Sequence, residues 1–135
     1  MSFRILPDSS AWIAYFRNSD VPTADLVEKL IEVEADICLC GVVITEVLQG
    51  VRSDKDHRLI QDIFNTPEYL EMDRLTFEFA AEIYRACRAK GFTIRSTVDC
   101  IIAATAIQHD AHLLHCDRDY EAIARFYPLR IYGGQ

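Results

Sequence analysis

The sequence predicts an α/β fold, a short and mostly parallel sheet covered on both faces, in a single domain spanning residues 1–135. Three observations lead there. Apolar segments of four or five residues alternate with helical patterns along the chain, no hairpin turn signature separates any two of them, and no internal repeat is present. Strands that are short and apolar throughout suit a parallel sheet packed on both sides. The chain has 135 residues, 50% hydrophobic and 26% charged, with only 5 Gly and 4 Pro. That composition supports one real core and excludes a disordered or fibrous chain.

Phe3–Pro7 is the first strand, and Asp8-Ser9-Ser10 supplies capping chemistry for a helix over Ala11–Arg17 that carries Trp12, Ile13 and Phe16. Asp20–Pro22 breaks it. Thr23 is expected to cap a second helix running to about Ala35, with Leu26, Leu30 and Val33 on an apolar stripe widened by Val27 and Ile31. Ile37–Cys40 is the second strand, and Gly41 leads into a helix over Val43–Gln49 that Gly50 stops. Ser53 caps a helix to Asn65 with Leu59, Ile60 and Phe64 inside; Pro67 ends it and Tyr69–Met72 gives the third strand.

Leu75–Lys90 is the longest amphipathic helix, with Phe79, Ile83 and Ala86 at helical steps and Gly91 placed to terminate it. Thr97–His109 contains Ile101-Ile102-Ala103-Ala104, so it is expected to be buried on nearly all sides. His112–Cys116 is the fourth strand, Arg118–Phe126 a short helix, and Leu129–Tyr132 the last strand.

The formal net charge of −7 argues against a general nucleic-acid coat protein. The charge is uneven, with a net of −8 over residues 1–73 and +1 over residues 74–135. Arg85, Arg88, Lys90 and Arg95 follow one another with no acid between them. No apolar run is long enough to span a membrane, and MSFRILPDSS is not expected to be a signal peptide. The five cysteines, Cys38, Cys40, Cys87, Cys100 and Cys116, cannot all pair, which points to reduced thiols and a cytoplasmic location. No second Cys/His pair has zinc-site spacing.

Sites in parallel α/β sheets lie at the carboxyl ends of the strands. Asp8 follows the first strand, and Glu46 lies one turn inside the helix after the second. Asp99 opens the helix that starts at Thr97, and Asp117 with Asp119 follows the fourth strand. Singly, Asp8, Asp99 and Asp117 also read as helix caps or first-turn acids, whereas Glu46 sits among Val43, Ile44, Val47 and Leu48. Together, like charges on one rim destabilise the fold unless a cation lies between them. An all-carboxylate set suits Mg2+ or Mn2+, and such ions support phosphodiester hydrolysis. Ser10 and Thr97 can orient carboxylates through their hydroxyls or can simply cap helices. Arg85, Arg88, Lys90 and Arg95 can lead a nucleic-acid backbone toward the metal, or can be a solvated helix end. His115, on the strand before Asp117, reads either as a packed histidine or as support for the site.

Competing chemistries lack their parts. A phosphoaspartate phosphatase would want a second Asp where Ser10 stands, and a phosphorylated receiver domain would want a lysine near the acids, whereas Lys29, Lys55 and Lys90 fall elsewhere. Neither a Gly-rich phosphate loop nor a nucleophile elbow is present.

The stretches ILPDSSAWIAYF (5–16), CGVVITEVLQGVRSD (40–54), GFTIRSTVDCIIAATAIQHDAHLLHCDRDYEAIARF (91–126) and PLRI (128–131) resemble the PIN-domain ribonucleases, in particular the VapC-type toxins of bacterial toxin–antitoxin pairs. The resemblance implies a three-layer α/β/α sandwich and Mg2+- or Mn2+-dependent endonucleolytic cleavage of RNA, commonly tRNA or rRNA. It implies that Asp8, Glu46, Asp99 and Asp117 form the family's acidic quartet, that Asp119 supports it, and that Ser10 and Thr97 occupy its polar positions. It also implies a homodimer held inactive by a VapB-type antitoxin whose tail crosses a groove, for which Trp12, Phe16, Leu26 and Leu30 are candidate apolar residues. Cys116 departs from the pattern, standing where many relatives carry Asn before the last acid. The alternatives are a housekeeping RNA-processing nuclease without an antitoxin, a catalytically inactive PIN-like binding module, and a phosphotransfer receiver.

Overall fold

The protein is described by a computed structural model covering residues 3–133. Strands β1 (Ile5–Pro7), β2 (Cys38–Leu39), β3 (Glu68–Tyr69), β4 (His112–Leu114) and β5 (Arg130–Ile131) are all parallel. β1, β4 and β5 pair in that order, and β2 pairs with β3. A parallel bridge between Ile5 and Ile37, with Ile5 N–H donating to the Asp36 carbonyl at 2.9 Å, joins the two groups. The strand order is therefore β3-β2-β1-β4-β5.

Among the described residues seven helices cover this sheet: α1 (Ser9–Phe16), α2 (Pro22–Glu32), α3 (Gly41–Gln49), α4 (Asp54–Ile63), α5 (Arg74–Ala89), α6 (Thr97–Gln108) and α7 (Arg118–Phe126). The chain moves one way along the sheet from β1 to β3 and the other way from β4 to β5. Right-handed crossovers then send the helices to opposite faces. In agreement, α1 packs on α2 and α3, and α3 on α4, whereas α5 packs on α6 and α7. The result is a three-layer α/β/α sandwich. None of the helices among the described residues is long and apolar enough to cross a membrane.

The local signals act where they were expected at several points. Ser53 accepts a hydrogen bond from Asp56 N–H at 3.0 Å and caps α4. At the end of α5, Gly91 has φ +91°, Phe92 N–H reaches the Cys87 carbonyl at 2.9 Å and Gly91 N–H reaches Arg88 at 3.0 Å. This pair of bonds closes the last carbonyls of the helix and needs a left-handed residue. Cys100, Ile102, Ala103, Ala104 and Ala106 of α6 are almost wholly buried.

Other boundaries move. Val21, not Thr23, precedes the first turn of α2; Pro22 takes the first helical position, where its missing N–H costs nothing, and Thr23 is buried. α1 begins at Ser9 with Asp8 as its cap, and α3 begins at Gly41. A Cβ on Gly41 would lie 3.0 Å from Met72 Cε and 3.1 Å from the Tyr69 hydroxyl, so a larger residue here requires those two side-chain ends to shift by a few tenths of an ångström. The third strand is Glu68–Tyr69 at the sheet edge, both side chains exposed, and its ladder ends where Leu70 N–H donates to Leu39 at 2.7 Å. Leu59 is 55% exposed because Ile60 and Phe64, one turn apart, take the core-facing side of α4. Val33, at the end of α2, is exposed as well, while Trp12 and Leu30 are almost wholly buried and line a 630 Å³ cavity with Ile31, Ile37 and Pro67.

Gly91→Ala is expected to cost about 1–2 kcal/mol in chemical unfolding, because nothing lies within 4 Å of an added Cβ and the whole penalty is backbone strain at φ +91°.

Candidate active site

Between β1 and β4 the direction of the strand order reverses, and in α/β sheets the crevice at such a point binds ligands. Asp8 leaves β1 and Asp117 stands just past β4, and Asp8 N–H still donates to Leu114 at 3.0 Å, so the first acid is fixed by the sheet itself. α3 and α6 then bring Glu46 and Asp99 from two other segments. Asp8, Glu46, Asp99 and Asp117 line one cleft of 290 Å³, together with Ser9, Ser10 and Tyr120. Asp119 lies beside it: one carboxylate oxygen from each of Asp99, Asp117 and Asp119 falls within 4.8 Å of the others.

Each acid is held by its own donor. Asp8 Oδ1 accepts from Ala11 N–H at 2.9 Å, which caps α1, and from Ser10 Oγ at 2.8 Å. Glu46 Oε1 accepts from Ser9 Oγ. Asp99 Oδ1 accepts from the Tyr120 hydroxyl at 3.1 Å. Asp117 Oδ1 accepts from Asp119 N–H at 2.9 Å and from Arg95 Nη2 at 2.8 Å. Asp119 Oδ2 accepts from the backbone N–H and Nε of Arg95, both at 3.1 Å. The Asp117 N–H donates to His115 Nδ1 at 2.8 Å, so the other ring nitrogen carries the proton and faces Glu121 at 3.1 Å. Burial lowers the pKa of this imidazole and favours its neutral form.

Burial pushes the Asp8 carboxyl up to about 6; the charges of Asp99 and Asp117 add to the rise, and the Ala11 and Ser10 hydrogen bonds oppose it. Asp99 is also raised, by burial first and then by Asp117, Asp119 and Glu46. Among the described residues no lysine or arginine forms an ion pair with Asp8, Glu46 or Asp99, and Arg95 reaches only Asp117 and Asp119. The cleft therefore carries negative charge in excess, presented entirely by oxygen donors. These residues fit a hard divalent cation. A second trio, Asp36, Cys38 and Glu68, does not fit as well. Arg4 already neutralises Glu68 at 2.9 Å, and burial pushes the Cys38 thiol up to about 12.

Ser10 thus lies on Asp8, whereas Thr97 does not line the cleft; it is exposed and borders a separate apolar cavity with Phe77, Tyr84 and Ile101. Arg85 borders that same cavity, Arg88 lies 5.6 Å over the Tyr84 ring and Lys90 lies 5.4 Å over Phe126. Only Arg95 of the four bases touches the acids. Sequence reasoning did not single out Ser9 or Tyr120. Tyr120 carried a signal: it follows Asp117 by three residues on a helix, which turns it back toward the strand end, and a buried tyrosine hydroxyl needs a partner.

A PIN-domain family model matches residues 5–126. Over 128 residues the chain is 41% identical to VapC ribonuclease Mb1587 of Mycobacterium bovis and to Ribonuclease VapC11 of Mycobacterium tuberculosis, covering 93% of this chain and 96% of each relative. The chain belongs to the PIN-domain family, in its VapC ribonuclease branch. Solved structures share the fold. VapBC2 from Rickettsia felis, bound to a DNA fragment from its promoter, has a TM-score of 0.72 at 19% identity and covers 96% of this chain and 97% of that one. A toxin–antitoxin complex from Klebsiella pneumoniae has a TM-score of 0.71 at 17% identity and covers 94% and 99%.

The Asp8 carboxyl titrates near 6 in the folded protein, against 3.8 for its ordinary value. The folded state holds more protons between those values, so the stability this group contributes is complete below about pH 4 and lost as pH rises through about 6. Asp8→Asn keeps the cap and removes the charge. In EDTA at neutral pH it is expected to raise unfolding stability by on the order of 2 kcal/mol, with no gain near pH 4. Mn2+ at about 100 times its Kd is expected to stabilise the wild type by about 2.7 kcal/mol and the variant far less. Thermal melts of both proteins at the two pH values check each part.

Proposed function

We propose that the chain is a Mg2+- or Mn2+-dependent endoribonuclease that hydrolyses phosphodiester bonds in structured RNA, tRNA or rRNA, as the growth-inhibiting toxin of a toxin–antitoxin pair. The observation that carries this reading is the meeting of Asp8, Glu46, Asp99 and Asp117 in one cleft at the strand-order reversal, where among the described residues only Asp117 has a basic partner. Asp8 and Asp99 would hold the ion, with Glu46 and Asp117 completing the site or holding a second one. When bound, a divalent ion supplies Lewis-acid charge for the phosphodiester oxygens and acidifies water. The chain's own contribution is to keep the donors fixed. Ser10 and the Ala11 amide orient Asp8, Ser9 orients Glu46 and Tyr120 orients Asp99. His115 pins the backbone of Asp117 from behind. In-line hydrolysis would leave a 5′-phosphate and a 3′-hydroxyl.

The partner is a VapB-type antitoxin, and the toxin itself works as a homodimer in the cytoplasm. A 310 Å³ cavity lined by Ile13, Phe16, Leu59, Ile60 and Ile63 supports the antitoxin assignment. Leu59 and Ile63 are exposed apolar residues there, and Ile13 also lines the carboxylate cleft. An amphipathic segment seated in this groove would run directly onto the acids.

The test is incubation of purified, partner-free protein with total tRNA and rRNA in Mg2+, Mn2+ or EDTA. Discrete metal-dependent fragments are expected, and Asp8→Asn should lower the rate by on the order of 10³-fold or more. Cleavage that survives in EDTA or in Asp8→Asn would sink the assignment. In a separate titration with the antitoxin encoded beside it, Leu59→Glu is expected to weaken binding about tenfold while leaving partner-free cleavage intact.

A further inference from the structure

A second cleft, of 470 Å³, adjoins the carboxylates on the side away from the apolar groove, between the 91–95 loop and α7. Its charged lining consists of Arg95, Arg118 and Arg125 together with Asp119 and Glu121. Asp119 is taken up by Arg95, and Glu121 faces His115 at 3.1 Å. Arg118 and Arg125 form no ion pair among the described residues, and both are exposed. They are seven residues apart on one helix, hence on one face about 10 Å apart. The Arg125 guanidinium lies 5.0 Å from the Phe92 ring centroid and 5.8 Å from that of Phe126, and these two rings are 5.6 Å apart. A guanidinium held against rings keeps its charge and its donors while losing the freedom it would otherwise surrender on binding.

We propose that this cleft is the entry track for single-stranded RNA, with Arg118 and Arg125 binding its phosphates and Arg95 marking the step onto the acids. The inference rests on the ribonuclease reading above and deepens it. Three features favour a polyanion here. The chain carries −7 overall, so an approaching nucleic acid needs a local cationic surface. The two unpaired arginines provide one next to the acidic site. Arg95 bonds Asp119, which lines this cleft, and Asp117, which lines the carboxylate cleft, so one guanidinium stands between the two. The flank reached through Ile13 is mainly aliphatic; Arg17 and Arg52 also line it, but among the described residues neither forms an ion pair with the acids, as Arg95 does. Arg85 and Arg88 of α5, which the sequence offered for the same task, lie beside Phe77 and on Tyr84 and do not line this cleft.

The experiment measures anisotropy of a fluorescein-labelled oligouridylate RNA bound to the Asp8→Asn protein, in EDTA so that it is not cut, over a series of KCl concentrations. Each phosphate contact contributes about 0.7 to the slope of log affinity against log salt for a single strand. Adding Arg118→Gln and Arg125→Gln together is expected to reduce that slope by about 1.4 and to lower affinity at least tenfold at low salt. Adding Arg85→Gln and Arg88→Gln instead should leave the slope unchanged. All four side chains are exposed, and circular dichroism verifies the folds. An unchanged slope in the Arg118/Arg125 protein, or an equal loss in the Arg85/Arg88 protein, overturns the track. If the track fails in this way while wild-type protein still cleaves RNA with Mn2+, the ribonuclease reading stands. If wild-type protein neither binds nor cleaves RNA, both fall.

Discussion

Carboxylates crowd together at the carboxyl end of this sheet, with no cation from the described residues paired to three of them, and the architecture around them answers to that repulsion. Asp8 is 5% exposed and bonded to the first turn of α1. Glu46, Asp99 and Asp117 each have a separate donor from a different element. A hydrogen bond to an ionised carboxylate is worth more than a neutral one, roughly 1.5–3 kcal/mol. Several such bonds keep the charges close without letting the side chains swing away into water. Arg95 relieves only the outer pair. The inner acids remain under strain that a bound divalent ion would relieve, and such binding would couple to folding at this one point.

The surfaces around the cleft divide by chemistry. On the α1/α4 side the neighbours are mainly aliphatic, with Arg17, Arg52 and Asp56 among them, and on the α7 side Arg95, Arg118 and Arg125 stand with Phe92, Asp119 and Glu121. A protein segment and a nucleic acid can thus approach the same acids from opposite flanks. Restraint by a partner would then come from occupying the destination rather than from displacing the substrate along its whole path.

Much of this was legible in the sequence because it depends on local signals. Gly91 stops α5, Ser53 caps α4, and the strand-end rule singled out Asp8, Glu46, Asp99 and Asp117, whose side chains the structure brings into one cleft. What escaped depends on pairs far apart in the chain. Ser9 and Glu46 are 37 residues apart, and Tyr120 and Asp99 are 21 apart. Nothing near Ser9 announces its bond, and the spacing that turns Tyr120 toward the strand end does not name Asp99 as its partner. Arg95 was read with the bases that precede it, although the loop after Gly91 turns it onto Asp117 and Asp119. Leu59 looked like core because it is leucine beside isoleucine, and a rotation of one residue on the helix put it outside.

Asp8 holds two posts at once, capping α1 through the Ala11 amide and facing the cleft. The residues able to cap a helix in this way are Asn, Asp, Ser and Thr. Those able to present a carboxylate to a divalent ion are Asp and Glu. Aspartate is the one amino acid on both lists. Position 8 therefore has no neutral substitution open to it: every replacement surrenders the helix start, the carboxylate or both, and no drift by way of a similar residue can separate the two roles.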